Sequence, residues 1–228
     1  FYYLDNTPSH SYMKMVYKYP INAFPYDDII NENAKRGKTD PEFEIVDTGV
    51  FNNNEYFDIF IEYAKGSEDD ILIRVTAHNR SSQKAPLVIL PTIWFRNNWK
   101  WGYNNYKPEL HSDIDGEIKI NHSRLKVQNF YTKDQAESLF CDNETNIEKL
   151  YGTPNYNGFF KDGINYHVMY GSNTVNPEKK GTKASFLIDT EIEAGASKTF
   201  DFRLTDQNLN SAFEDFDSIF DLRKTEAD

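Results

Sequence analysis

Tyr56-Phe57-Asp58-Ile59-Phe60-Ile61-Glu62-Tyr63 places an apolar side chain at every odd position, with Asp58 and Glu62 between them. That period of two fits a strand with one buried face. After the polar turn Gly66-Ser67-Glu68-Asp69-Asp70, Ile71-Leu72-Ile73-Arg74-Val75-Thr76-Ala77-His78 predicts a second strand. Upstream, Glu42-Phe43-Glu44-Ile45-Val46-Asp47 alternates too, and Asn52-Asn53-Asn54 supplies a turn. Downstream, beyond Ser81-Ser82, Pro86 to Phe95 reads as a strand. Four strands joined by polar turns predict an antiparallel sheet forming one side of a sandwich.

Further out, the periodicity changes. Tyr12, Met13, Val16 and Tyr17 have helical spacing, with Ser9 as cap and Pro20 as stop. A second helix is predicted through Tyr26, Ile29, Ile30 and Ala34, with Gly37 ending it. Asp115-Gly116 predicts a hairpin turn leading into Glu117–Ile120. Further strands are expected at Leu125–Tyr131, Ser138–Cys141, Ile164–Tyr170, Ala184–Thr190 and Thr199–Leu204. A short helix is expected at Ile147–Tyr151, closed by Gly152. At the end, Leu209, Phe213, Phe216 and Phe220 predict a helix leaving the sandwich, capped by Asp206 or Asn208. The fold class is thus mostly β, a large antiparallel β-sandwich with few short helices. Residues 1–205 form the sandwich and 206–228 a helical linker.

The totals agree with this class. Of 228 residues, 15% are aromatic, including 17 Phe and 15 Tyr, which pack well on pleated sheets. The net charge of −11 repels polyanions, so no nucleic-acid partner is expected. No apolar run is long enough to span a bilayer, and no membrane partner is expected. The lone Cys141 allows neither an internal disulfide nor a thiolate zinc cage; it reads as a small buried hydrophobe. It points to a reducing compartment, and a cytoplasmic location is the expectation. The chain opens on Phe1-Tyr2-Tyr3, without Met or signal peptide, and reads as a piece of a longer protein.

Function-bearing chemistry concentrates in Leu90 to Gly102, which holds all three tryptophans: Trp94, Trp99 and Trp101. Arg96, Asn97 and Asn98 lie between them, and Tyr103 and Tyr106 follow. Flat aromatic faces beside guanidinium and amide groups suit a sugar. They equally anchor ordinary cores, and on chemistry alone the structural role comes first. Alternation puts Ile93 and Phe95 on one face and Trp94 and Arg96 on the other, leaving Trp99 and Trp101 as candidates for an exposed edge.

Other constellations fail as sites. Acidic pairs such as Asp27-Asp28 and Glu68-Asp69-Asp70 read as solvated surface. Asp113 to Glu117 has its glycine too early for a calcium loop, and the later acidic ligand is missing. The five histidines share no metal-ligand spacing. No metal site, no cofactor and no catalytic residue is assigned.

Several segments together carry a resemblance: Tyr3 to Lys14, Tyr17-Lys18-Tyr19-Pro20, Asp47-Thr48-Gly49-Val50-Phe51, Tyr56-Phe57-Asp58, Ile73 to Arg80, Leu90 to Gly102, Asn143-Glu144-Thr145-Asn146, Gly152-Thr153-Pro154-Asn155 and Val175 to Ala184. In this order they resemble the N-terminal region of large microbial proteins related to glycoside hydrolase family 63, the processing α-glucosidase I family. The resemblance implies a non-catalytic β-sandwich followed by an (α/α)₆ barrel that carries the catalytic acid and base. The implied partners are that barrel and an oligosaccharide substrate. An independent carbohydrate-binding module using Trp94 to Trp101 is the alternative, and the chain alone is expected to be inactive. Under either, Trp94, Arg96, Asn97, Asn98, Trp99, Trp101 and Tyr103 face carbohydrate or barrel.

Overall fold

The computed structural model describes residues 1–103, 106–156 and 158–228. The strands are β1 (Tyr2–Asn6), β2 (Tyr12–Pro20), β3 (Tyr56–Ser67), β4 (Asp70–Asn79), β5 (Ala85–Ile89), β6 (Thr92–Trp94), β7 (Glu109–His111), β8 (Glu117–Asn121), β9 (Asn129–Thr132), β10 (Glu137–Cys141), β11 (Lys180–Gly181), β12 (Lys183–Ile192) and β13 (Ser197–Thr205). Four helices join them: α1 (Tyr26–Asn33), α2 (Ile147–Tyr151), α3 (Gly163–Tyr170) and α4 (Phe216–Ala227). A nine-stranded sheet runs β1-β2-β3-β4-β13-β9-β8-β7-β11. A smaller sheet runs β10-β12-β5, with β6 also paired to β12. Every pairing described is antiparallel, and the architecture is a β-sandwich.

The alternation in β3 explains the layers. Phe57 and Ile59 turn inward with Val75, Ala77, Phe200 and Phe202, and pack on Leu87, Phe140, Phe186 and Ile188 of the small sheet. The outer face carries Ala64 and Leu72, which join Tyr12 beneath Phe216 and Phe220 of α4. Thus α4 lies back on the outer face of β2 and β3. It begins only at Phe216, after the N-cap Asp215. Arg203 holds the preceding segment by donating to the Ala212 carbonyl at 2.8 Å and to Asp215 at 2.6 Å. The helix expected from Leu209 is shortened accordingly.

Tyr12–Tyr17 is strand, not helix: a spacing of four is also a multiple of two, and Tyr12, Val16 and Pro20 share the outer face of β2. Ile164–Tyr170 is helix, not strand. Ile164 and Val168, four apart, pack on Leu139 and Cys141, and Gly171 closes the helix at φ 64°. Glu42–Asp47 is not a strand. Glu44 and Asp47 form a capping box around a 3₁₀ turn, Ile45–Thr48, ended by Gly49. Pro86–Phe95 is two strands, broken at Leu90-Pro91, and both belong to the small sheet rather than beside β4. Within Leu125–Tyr131 only the end is strand, from Asn129.

Other expected elements form as read. Gly116 has φ 85° between β7 and β8. The N-terminus of α2 is capped by Asn146, which accepts from Lys149 N at 3.1 Å, and its C-terminus by Gly152 at φ 68°. A Cβ at Gly152 meets nothing within 4 Å, so its cost is purely conformational. Gly152→Ala is expected to cost about 1 kcal/mol, read as a lowered denaturation midpoint at unchanged slope.

Candidate functional site: an aromatic shelf on a buried carboxylate

The small sheet presents the tryptophan stretch. β6 pairs with β12 through Ile93↔Ala184 and Trp94↔Lys183, and Phe95 N continues the ladder to Thr182 O at 2.9 Å. Alternation then buries Phe95 and leaves Trp94 60% exposed, as the pattern predicts. Phe95 stacks on His122 with ring centroids 5.3 Å apart. Beyond it the chain is clamped reciprocally: Asn97 Nδ2 donates to Asn143 O at 3.0 Å, and Asn143 Nδ2 to Phe95 O at 2.9 Å. A 3₁₀ turn follows over Trp99–Trp101, with Trp101 N donating to Asn98 O, and Gly102 ends it at φ 79°.

That turn separates the three indoles. Trp99 turns inward against the core and donates Nε1–H to Glu144 Oε1 at 2.8 Å. Trp101 turns outward at 54% exposure, with the Arg96 guanidinium 5.1 Å from its ring centroid. Tyr103, 84% exposed, meets Trp101 edge-on at 6.3 Å. Of the seven residues singled out in the sequence, Arg96, Trp101 and Tyr103 form an exposed aromatic shelf, and Trp94 is exposed on the strand that leads into it. Asn97 and Trp99 brace it from within, and Asn98 forms the turn.

Glu144 is the anchor of this arrangement and was not anticipated as a site residue. It is 4% exposed and accepts from Trp99 Nε1, from Lys107 Nζ at 3.0 Å, from Lys100 Nζ at 3.1 Å and from the Tyr156 hydroxyl. Burial alone raises a carboxyl pKa. Here the hydrogen bonds from Tyr156, Trp99, Lys100 and Lys107 outweigh it and hold Glu144 down at about 2. Tyr156 is pushed the other way, by burial and by the Glu144 charge. Burial opposes the charge of Lys107, but Asp142 and Glu144 more than restore it; Asp142 is 2.8 Å away. Lys100 also lies 4.7 Å over the Tyr156 ring. An ionised, fully bonded carboxylate holds no proton near neutrality, so Glu144 is a brace rather than a general acid.

Two other expectations meet the structure differently. Asp70, read as solvated surface, is 2% exposed and takes both nitrogens of a bidentate fork from Arg203, at 2.8 and 2.6 Å. Cys141 is buried as read, and burial pushes its thiol up to about 11. Among the described residues no group of three or more His, Cys, Asp or Glu is placed to hold a metal ion. No helix among them is long and apolar enough to cross a membrane.

Beside β5 and β6 the sandwich is open. Nine strands lie under a much narrower sheet, and among the described residues nothing pairs with the outer edge of β5. An apolar groove of about 530 Å³ runs there, over Tyr17, Ile61, Tyr63 and Ile73 and under Val88 and Ile93. A second apolar hollow of about 340 Å³ continues past Ile93 to Trp94.

The chain is 35% identical, over 276 aligned positions and its whole length, to the uncharacterized protein YMR196W of Saccharomyces cerevisiae. It spans 25% of that protein's length. Among solved structures, the polysaccharide lyase BACCELL_00875 superposes with a TM-score of 0.39 at 11% identity, covering 69% of this chain and 21% of that one. No protein-family model matches the chain.

Proposed function

We propose that the chain is a non-catalytic β-sandwich domain of a larger carbohydrate-active protein, and that its aromatic shelf lines a saccharide cleft. The observation that carries this is the shelf itself. Trp94 is turned to solvent by strand alternation, and Trp101 and Tyr103 by a turn braced on a buried carboxylate. Exposed rings on a rigid mount, with a guanidinium alongside, match the alternating C–H faces and hydroxyls of a sugar. The resemblance to family 63 proteins supplies the finer reading: an inverting, α-glucosidase-like hydrolase whose (α/α)₆ barrel lies against this domain and completes the cleft. The open apolar groove supports packing against further protein, since contiguous apolar surface of that kind marks an interface. A relative four times as long as the matched span accommodates such a barrel.

The alternative, an independent carbohydrate-binding module, uses the same shelf and differs in whether this domain binds saccharide tightly alone. Hydrolysis of α-linked glucosides separates the domain reading from an enzyme complete in itself. The 228-residue chain is expected to show no turnover. In a longer polypeptide carrying the domain, Trp101→Ala is expected to raise KM about tenfold with little change in kcat, as loss of binding without loss of chemistry does. Turnover by the isolated chain, or a fall in kcat at constant KM, contradicts the proposal.

A further inference from the structure

A third hollow, of about 420 Å³, lies on the outer face of the large sheet. That volume is within the range of roughly 300–1,000 Å³ typical of small-ligand pockets. Its floor is a cross-strand row set by register: His111 on β7 opposite Lys119 on β8, and Lys119 opposite Asn129 on β9. Alternation turns these polar residues outward while Leu110, Ile118 and Phe130 enter the core. Asp113, His122, Leu125, Gln128 and Asn208 form the walls.

The floor is already satisfied. Lys119 Nζ donates to Glu117 at 2.6 Å, to Asn129 Oδ1 at 2.9 Å and to Asn208 Oδ1 at 3.4 Å. Asn129 in turn donates to Gln207 O at 2.7 Å. The rim is not. Asn121 and Gln128 line the hollow, and their side chains hydrogen-bond to no other described residue. His111 Nδ1 is buried and makes no hydrogen bond among the described residues, with Glu109 3.8 Å from Nδ1 and Asp113 3.8 Å from Nε2. His122 Nδ1 accepts from the backbone N–H groups of Arg124 and Leu125, both at 3.1 Å, which places its proton on Nε2. The hollow therefore offers amide and imidazole donors and acceptors. Its main cation, Lys119, is neutralised by Glu117. Ile120 and Leu125 add an apolar wall.

We propose that this hollow binds a neutral polyhydroxylated ligand, a mono- or disaccharide. A ligand of that class needs many hydrogen-bond partners beside an apolar patch, and the exposed carboxylate of Asp113 at the rim adds acceptors for its hydroxyls. A phosphate or carboxylate ligand finds no free cation here. This hollow shares Ile120 and Leu125 with the apolar hollow that reaches Trp94, but none of its lining residues belongs to the shelf.

The test is an NMR titration of the 228-residue chain with D-glucose. Saturable shifts are expected in the Asn121 and Gln128 side-chain amides and in the His111 and His122 rings. The double variant Asn121→Ala, Gln128→Ala is expected to weaken binding about fivefold, roughly the loss of two net hydrogen bonds at the low end of their worth. Both side chains are exposed and unbonded, so an unchanged melting temperature checks that the fold is intact. Trp101→Ala is expected to leave these shifts unchanged, which separates this site from the shelf. Shifts that never saturate, that survive the double variant, or that vanish with Trp101→Ala overturn the proposal.

Discussion

Asp70→Ala lowers the unfolding free energy by about 3 kcal/mol in chemical denaturation. Asp70 and Arg203 are 2% and 3% exposed and lie diagonally across β4 and β13, Asp70 opposite Thr205 and Arg203 opposite Leu72, near the outer-face cluster that seats α4. Removing the carboxylate leaves a buried guanidinium with one strong ionic partner, Asp215, whose side chain is 53% exposed. The expected loss is at the low end of the range for a broken buried pair because Asp215 and the Ala212 carbonyl remain bonded. The same arginine orders the approach to α4, so the variant also exposes Phe216 and Phe220, seen as faster amide exchange in α4. Pairing Asp70→Ala with Arg203→Met restores part of the loss, since the stranded charge is then gone. A cost below about 1 kcal/mol for the single variant contradicts the assignment of Arg203 as the pin of this face.

Glu144→Gln is the second large effect, at about 2–3 kcal/mol near neutral pH, and its pH dependence identifies the cause. The folded-state pKa of Glu144 is depressed to about 2, below the unfolded value of about 4.3. Its contribution is therefore present above pH about 4.5 and is lost as pH falls towards 2. The shift alone corresponds to about 3 kcal/mol, reduced because Lys100 and Lys107 are partly exposed and regain water when the carboxylate goes. The variant is expected to lose stability most at neutral pH and to converge with the parent chain near pH 2. Trp99 reports the change directly, since its indole loses the Nε1–H acceptor charge; a shift in its emission accompanies unfolding of the turn. Parallel stability curves for the variant and the parent from pH 7 to 2 contradict the role given to Glu144.

The sandwich was legible because its central strands obey a simple rule. β3 and β4 alternate, and their turn is acidic and polar. What escaped was settled by contacts far apart in sequence. The Tyr12–Tyr17 spacing fits two periods, and only pairing of β2 with β3 selects the strand. Gly163–Tyr170 has aromatic and β-branched residues that suit a strand, yet Ile164 and Val168 find their partners on β10 at helical spacing. Asp70 stood in an acidic turn, and nothing local shows that Arg203, 133 residues away, reaches it.

The aromatic shelf was half legible. Strand alternation gave the outward turn of Trp94 and the inward turn of Phe95. It could not separate Trp99 from Trp101, because the chain leaves the strand between them and a 3₁₀ turn sets their directions. Glu144 carries no signature of its own: one acid among 36, it becomes special only where Trp99, Lys100, Lys107 and Tyr156 converge on it.

The central claim is that the shelf meets saccharide. Tryptophan fluorescence of the 228-residue chain, titrated with malto-oligosaccharides, tests it most directly. A weak saturable change that Trp101→Ala abolishes is predicted, since one wall of a cleft holds a sugar loosely. No change at any concentration, or a change that persists in Trp101→Ala, contradicts the claim and returns the stretch to a purely structural role.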